Sequence, residues 1–480
     1  MGSLLGARQH HIRIETVHIA AESCLALHFH RLLACLLACL LACCTKQDRE
    51  NVCENGNLQS QPHKKTERPS PAAWSNKTSN LYIYASSRNY KRMQETECDV
   101  LVVGAGPSGC SAARAAASAG ARTLLIEKKK EIGVPVQCAE AIGEYLIPYL
   151  PYKLPETQLI WKINGMLFWA DEVSVERTSG IWAGYAINRI TFDTWLASGA
   201  VTAGANLQLE TELIDLTLEH DDTVTQALVR TGDGSEREII PRVVIAADGV
   251  HSRVLAKLGF VDVESKCVEV LSYELMNLEL NKPALEQLYL GDFSPGAYGY
   301  IFPLARNRAN VGVGSLFGTR ELECCYEEFL ELPVVKRQLK QGETVREKSG
   351  WAPIQYLSDR WQYGNIMLTG DAANQNFKPF VEGVLPGVIC GDIAGQTAAD
   401  AVFGTATLAV YPSRIADKLG PFFSESDKFL DVLYELSTSP SVTRHLLRLG
   451  ISAAIFSPDA LESLADRDYE TIKNRISSGL

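Results

Sequence analysis

Residues 99–140, DVLVVGAGPSGCSAARAAASAGARTLLIEKKKEIGVPVQCAE, restrict this chain more than any other stretch. Asp99 to Val103 is a short apolar run with β-branched residues, as in a parallel strand buried on both faces. Gly104, Gly106 and Gly109 follow in G-x-G-x-x-G spacing around Ser108. Gly104 permits the tight turn, Gly106 lets backbone approach a pyrophosphate, and Gly109 lets the next helix lie close on the strand. That helix is slim, with Ser111, Ala112, Ala113 and Ala115 to Ala117, and its free N-terminal amides suit phosphate. A second strand, Thr123 to Ile126, ends on Glu127. A carboxylate there bonds an unphosphorylated ribose, favouring FAD or NAD over NADP. The glycine spacing alone is a weak signal. Strand, turn, helix, strand and acid in this order make it a strong one.

A second piece separates FAD from NAD. Ile366 to Ala373, IMLTGDAA, is a short strand ending in Gly370-Asp371, and a helix is expected to run on through Ala401. An Asp at such a strand end can accept from sugar-chain hydroxyls, and the helix start beside it can hold a phosphate or the electron-rich edge of a flavin. Taken alone, Asp371 reads as an ordinary helix cap. A third piece, Arg242 to Arg253 (RVVIAADGVHSR), is a strand ending in the turn former Asp248-Gly249.

The three pieces in this order resemble the FAD-dependent hydroxylase and reductase superfamily built around para-hydroxybenzoate hydroxylase, over about residues 97–405. The resemblance implies an α/β fold: a Rossmann-like FAD-binding domain with an inserted mixed β-sheet substrate domain and C-terminal helices. It implies that Asp371 contacts the ribityl chain and that Arg189, in AINRITFDTWLA, contacts the flavin. Gly133 to Glu140, GVPVQCAE, narrows the field. With Glu127 and the preceding EIG, the Pro135, Cys138, Ala139 and Glu140 pattern resembles the geranylgeranyl reductase family, archaeal-type enzymes that saturate isoprenoid chains of lipids. The family's aromatic strand ending in F-P corresponds to Tyr298, Tyr300, Phe302 and Pro303, and its late E-G-I segment to EGVLPGVICGDIAG from Glu382. Two departures stand out. Tyr300 occupies a position that is usually Trp, and Pro386-Gly387 interrupt the expected start of the late helix.

The resemblance implies reduction of a carbon–carbon double bond in a prenyl chain. It assigns to the cofactor Gly104, Gly106, Ser108, Gly109, Glu127, Cys138, Ala139, Ala141, Arg189, Leu213, Asp371, Gly383 and Val384, and to catalysis Cys138. An unpolarised alkene needs hydride from one side, a proton from the other, and exclusion of water. Cys138 lies in a loop able to face the ring and is expected to orient or protonate the alkene, although many loop cysteines are inert buried thiols. Cys110 and Cys390 fall in helices built for packing, Cys98 opens a strand, and Asp248 and Glu140 are fallback polar groups. After Met93 the histidines are His220, His251 and His445, too scattered for a metal site. The electron donor is expected to be NAD(P)H, bound transiently, or a ferredoxin. A flavin monooxygenase for an apolar substrate is the alternative enzyme, and a flavin-bearing redox carrier the non-enzymatic one.

Charge divides the chain. Residues 1–92 carry 12 Lys+Arg and 6 Asp+Glu, a net of +6, against −11 for the whole. The acidic remainder argues against a nucleic-acid partner. Those 92 residues also hold six of 13 cysteines, the repeat LLACLLACLLACC and a polar, proline-containing tract from Gln59 to Ser79. The apolar run is too short to span a bilayer. The expectation is an atypical, disordered or mis-assigned extension, with the working enzyme starting near Met93. The rest divides into FAD-binding segments at 93–160, 241–265 and 360–405, substrate segments at 161–240 and 266–358, and a helical region at 406–480. The expected setting is the cytoplasm, with possible peripheral contact at a membrane where the lipid substrate resides.

Overall fold

In the computed structural model, residues 97–437 are described, apart from 171–172, 179, 295–296, 317–319 and 379. The expected extension at 1–92 and residues 438–480 of the C-terminal region lie outside them. The chain opens with β1 (Glu97–Val103), α1 (Pro107–Ser118) and β2 (Thr123–Ile126). After the cysteine loop come β3 (Ala141–Gly143), β4 (Trp161–Ile163), β5 (Gly165–Ala170), β6 (Val173–Thr178) and β7 (Gly184–Ala186). Helix α2 (Arg189–Thr202) leads into β8 (Asn206–Gln208), β9 (Thr211–Leu218), β10 (Val224–Thr231), β11 (Glu236–Ala246) and α3 (Arg253–Lys257). A second insertion holds β12 (Cys267–Met276), β13 (Leu285–Leu290), β14 (Gly299–Ala305) and β15 (Arg308–Leu316). It closes with α4 (Leu322–Glu331), α5 (Pro333–Leu339) and β16 (Glu343–Pro353). The chain returns as β17 (Gln362–Tyr363), β18 (Ile366–Leu368), α6 (Val384–Phe403) and α7 (Tyr411–Ser437).

Two sheets organise these elements. The nucleotide sheet runs β17-β18-β11-β1-β2-β8, with the β9–β10 hairpin continuing from β11. Its centre is parallel: β1 lies between β2 and β11, and β11 pairs with β18. Six of the seven β1 residues are buried, because helices cover one face and an apolar cluster fills the other. The second sheet, β16-β12-β15-β14-β13-β5-β6, is antiparallel except for the β13–β5 pair. A small β3-β7-β4 sheet connects the cysteine loop to the insertions. The fold is thus the α/β architecture expected, a flavoprotein sheet with a mixed-sheet insertion.

Within the expected substrate segment 161–240, β8 extends the parallel edge beyond β2, and β9 and β10 hydrogen-bond onward from β11. Isolated short strands look alike in sequence, and only their pairing partners reveal which sheet they complete. Pro386 and Gly387 do not interrupt α6, which starts at Val384. Pro386 falls in the first turn, where an amide has no helical partner to lose, and the Gly387 amide bonds the Gly383 carbonyl at 3.0 Å.

Candidate functional site

The glycine turn is a fitted piece. Gly104 has φ +96°, and a Cβ there would lie 2.4 Å from the Ala247 carbonyl oxygen. At Gly109 a Cβ would lie 1.8 Å from the Gly104 carbonyl oxygen, so only glycine lets α1 leave the strand this tightly. Gly106 differs: nothing stands within 4 Å of its missing side chain. It is the N-cap of α1 and provides no side-chain cap, so the first-turn amides face open space able to receive an anion. The Glu127 carboxylate sits against the turn, accepting from the Ala105 amide at 2.8 Å and the Lys129 amide at 2.9 Å. Each oxygen keeps a lone pair for a sugar hydroxyl.

The late motif meets the same place. Ser108 occupies a notch of three glycines: a Cβ at Gly370 would lie 2.4 Å from its Oγ, one at Gly387 3.6 Å from its Cβ, and one at Gly391 2.1 Å from its carbonyl oxygen. Helices α1 and α6 therefore touch backbone to backbone. Gly383, the N-cap of α6, also lacks a side-chain cap, and its Cβ would stand 3.3 Å from Asp371 Oδ1. The structure so brings Gly383, Val384 and Asp371 together beside Ser108. Burial raises the Asp371 carboxyl above its usual range, opposed by Arg189 and Lys378. Burial also pushes the Lys378 ammonium down to about 8. Two uncapped helix N-termini, an open glycine and a carboxylate between them fit an anionic dinucleotide such as FAD.

Cys138 is half-buried between these helices and the second sheet. Its Sγ accepts the Glu140 amide at 3.2 Å and lies in electrostatic reach of Arg189 and Tyr300. The Arg189 guanidinium is committed to Asp193 through two 2.8 Å bonds, while its backbone amide donates to Glu140 at 2.9 Å. Burial opposes its charge, but Asp193 and Cys138 outweigh that and raise its pKa. Ala139 gives its carbonyl to Asn310 at 2.7 Å, and Ala141 starts β3. Leu213 is brought near the Glu127 end of β2, but its side chain packs in the core among Leu101, Val103 and Val229. Asp248 uses one carboxylate oxygen on the Arg253 amide at 2.8 Å and the Val254 amide at 3.4 Å. Its other oxygen is buried without a partner, and burial raises its pKa.

What the sequence did not disclose is the anchor of the cysteine loop. Glu140, at φ +64°, is buried and accepts Lys348 Nζ at 2.6 Å. Lys348 also donates to Asn310 Oδ1 at 2.7 Å and lies 3.6 Å from Glu274, which pairs with Arg308. Asn310, Glu274 and Lys348 belong to adjacent strands β15, β12 and β16, so the second sheet holds the loop by one buried ionic network.

Beyond the network the same sheet turns apolar. Met166, Phe168, Leu288, Tyr298, Tyr300 and Phe302 form a cluster that meets Ala139, Ala141, Trp182 and Phe380. Tyr300 is buried, which raises its phenol, and its hydroxyl lies over Gly312, where a Cβ would come within 2.6 Å. This aromatic wall borders the cysteine loop directly. Among the described residues no group of three or more His, Cys, Asp or Glu could hold a metal, and no helix is long and apolar enough to cross a membrane.

Two family models described as FAD binding domains match residues 99–147 and 163–377. The digeranylgeranylglycerophospholipid reductase of Methanocaldococcus jannaschii is 35% identical over 71% of this chain and 87% of its own length. A second enzyme of that name, from Methanopyrus kandleri, is 33% identical over 69% of this chain and 85% of its own. A geranylgeranyl bacteriochlorophyll reductase-like structure from Thermoplasma acidophilum superimposes with a TM-score of 0.67 at 25% identity, covering 80% of this chain and all of that one. A myxobacterial FAD-dependent chondrochloren halogenase shares the fold at a TM-score of 0.58 and 17% identity, over 71% of this chain and 82% of that one.

Proposed function

The chain belongs to the digeranylgeranylglycerophospholipid reductase family, and on that premise we propose that it is an FAD-dependent reductase saturating carbon–carbon double bonds of geranylgeranyl chains in lipids. The observation that carries the reading is the meeting of a flavin frame, a thiol-bearing loop and an aromatic, apolar side-chain cluster. Halogenases share the frame at 17% identity, which speaks for the fold alone.

Gly104, Gly106, Ser108 and Gly109 would hold the pyrophosphate, Glu127 a ribose, and Asp371, Gly383 and Val384 the ribityl chain and ring edge. FAD, when bound and reduced, supplies hydride, which no side chain can. The rest is done by the protein. Tyr298, Tyr300 and Phe302 bury the prenyl chain and keep water out. Cys138 borders that aromatic cluster and orients the alkene, its loop fixed by Glu140, Asn310 and Lys348. Electrons come from NAD(P)H or a ferredoxin, and the lipid's head remains outside, at a membrane surface.

Anaerobic incubation of dithionite-reduced protein with geranylgeranyl lipids is expected to add two hydrogens per double bond by mass spectrometry. No saturated lipid in the anaerobic incubation, with oxygen-dependent hydroxylation of the lipid when air is admitted, would turn the assignment to a monooxygenase. Cys138→Ala is expected to lower turnover by about 100-fold, the scale of one positioned group, while keeping its FAD. Unchanged turnover in that variant would remove the thiol from the mechanism.

A further inference from the structure

Glu286 stands on the face of the second sheet that carries the apolar cluster of Met166, Leu288, Tyr300 and Phe302. Strand register sets it beside Met166 of β5. Its neighbour two residues on, Leu288, pairs with Phe168 on one side and Tyr300 on the other. Gln287 points through the opposite face, where its amide bonds Gln338 and Tyr289. The Glu286 side chain therefore shares its side of the sheet with Met166, Leu288, Tyr300 and Phe302, which pack against Ala139 and Ala141 of the cysteine loop.

No hydrogen bond or ion pair engages this carboxyl among the described residues. Two titratable groups influence it. Glu382 is held by the Gly143 amide at 2.7 Å and the Tyr145 hydroxyl at 2.9 Å, and Tyr298 lies on β14. Both are acidic, so neither stabilises a charge on Glu286. Of the cations on this face, Lys348 on the far edge strand β16 is committed to Glu140, Arg308 pairs with Glu274, and Arg177 of β6, registered with Met166, donates to the Glu176 carbonyl; none is ion-paired with Glu286 among the described residues. A carboxylate among apolar side chains with no cation paired to it is costly, and the group keeps its proton instead. Burial, then Glu382, pushes it up to about 8.

We propose that Glu286 is the catalytic acid that protonates the prenyl alkene, from the face of the second sheet that borders the cysteine loop. The assignment rests on the reductase reading above. The Glu286 O–H bond breaks and a C–H bond forms at one alkene carbon. FAD, bound and reduced, would supply the electron pair as hydride to the other carbon, so that the π bond is consumed as the flavin is oxidised. The carboxylate left behind regains its proton from solvent after product leaves. Cys138 then need only orient the chain, and one protic residue per turnover suffices.

Glu286→Gln preserves size and removes the acid. With wild type shown to saturate a geranylgeranyl lipid, the variant is expected to retain FAD and lose about 100-fold in single-turnover rate. Glu286→Asp should recover part of it. The wild-type rate should fall as pH rises through about 8, and that limb should vanish in Glu286→Gln. Independently of turnover, the infrared carbonyl stretch of a protonated carboxyl should be present in oxidised wild type at neutral pH, titrate with the same midpoint, and be absent from the variant. A Glu286→Gln rate within threefold of wild type, or a carboxyl ionised at neutral pH, overturns the proposal. A wild type that saturates nothing fails the reductase reading, whereas an active wild type with an active Glu286→Gln fails this inference alone.

Discussion

Lys348→Met is expected to destabilise the protein by about 3–5 kcal/mol, the scale for breaking a buried ion pair by removing one partner. The Lys348 side chain is 2% exposed, and the carboxylates of Glu140 and Glu274 beside it are 4% and 2% exposed. The ammonium makes 2.6 and 2.7 Å bonds to Glu140 and Asn310. Methionine fills the volume but leaves Glu140 with no opposite charge and Glu274 with Arg308 alone. Glu140 also accepts the Arg189 amide, and Asn310 holds the Ala139 carbonyl, so the lesion reaches both sides of Cys138. The variant should lose stability in urea and, at the same time, hold FAD less tightly. Adding Glu140→Gln should recover part of the loss, because it removes a stranded charge. A single variant within about 0.5 kcal/mol of wild type would show that solvent already reaches the network.

The sequence exposed what is local and hid what is assembled. The glycine turn, α1, β2 and Glu127 lie within 30 residues, where each local choice of residue type supports the next. Asp371 was readable because a strand end and a helix start sit beside it. The loop pattern around Cys138 is legible in the sequence, but the residues that hold that loop are not. Lys348 lies 208 positions from Glu140 and Asn310 170 positions away, and no motif spans such gaps. A lysine at position 348, in a strand whose early residues are exposed, reads as solvent-facing until Glu140 of the cysteine loop and Asn310 meet its ammonium. Glu286 was hidden for the same reason: in LEQLYL it looks like the polar half of an alternating strand, and only the pairing with β5 and β14 turns that half inward. Pro386 misled because a proline signals a helix break everywhere except the first turn.

Gly391→Val is expected to yield protein that purifies without bound flavin. A Cβ at Gly391 would stand 2.1 Å from the Ser108 carbonyl oxygen and 2.8 Å from its carbonyl carbon. The obstacle is backbone, which cannot rotate aside, so α1 and α6 must part. Gly395 lies one turn on, where a Cβ would meet the Ala112 carbonyl oxygen at 2.1 Å, so the helix cannot tilt about that point instead. Overpacking of this kind costs about 1–3 kcal/mol or more, and here it falls on Ser108. Ser108 is the residue that seats the pyrophosphate turn against Gly370 and Gly387, hence against the strand end that carries Asp371. Separating the helices therefore pulls apart the two halves of the cofactor site, and affinity should fall far more than stability. Gly199→Ala in α2 is the matched control. Its Cβ would make only ordinary contacts with Arg114, at 3.7 Å, and replacing a helical glycine should leave FAD content unchanged and stability equal or about 0.5–1 kcal/mol higher. The ratio of flavin to protein absorbance after purification, with FAD titration of any apoprotein, measures the difference. Stoichiometric FAD in Gly391→Val would mean that the cofactor does not depend on the α1–α6 contact, and that the glycine notch serves packing alone.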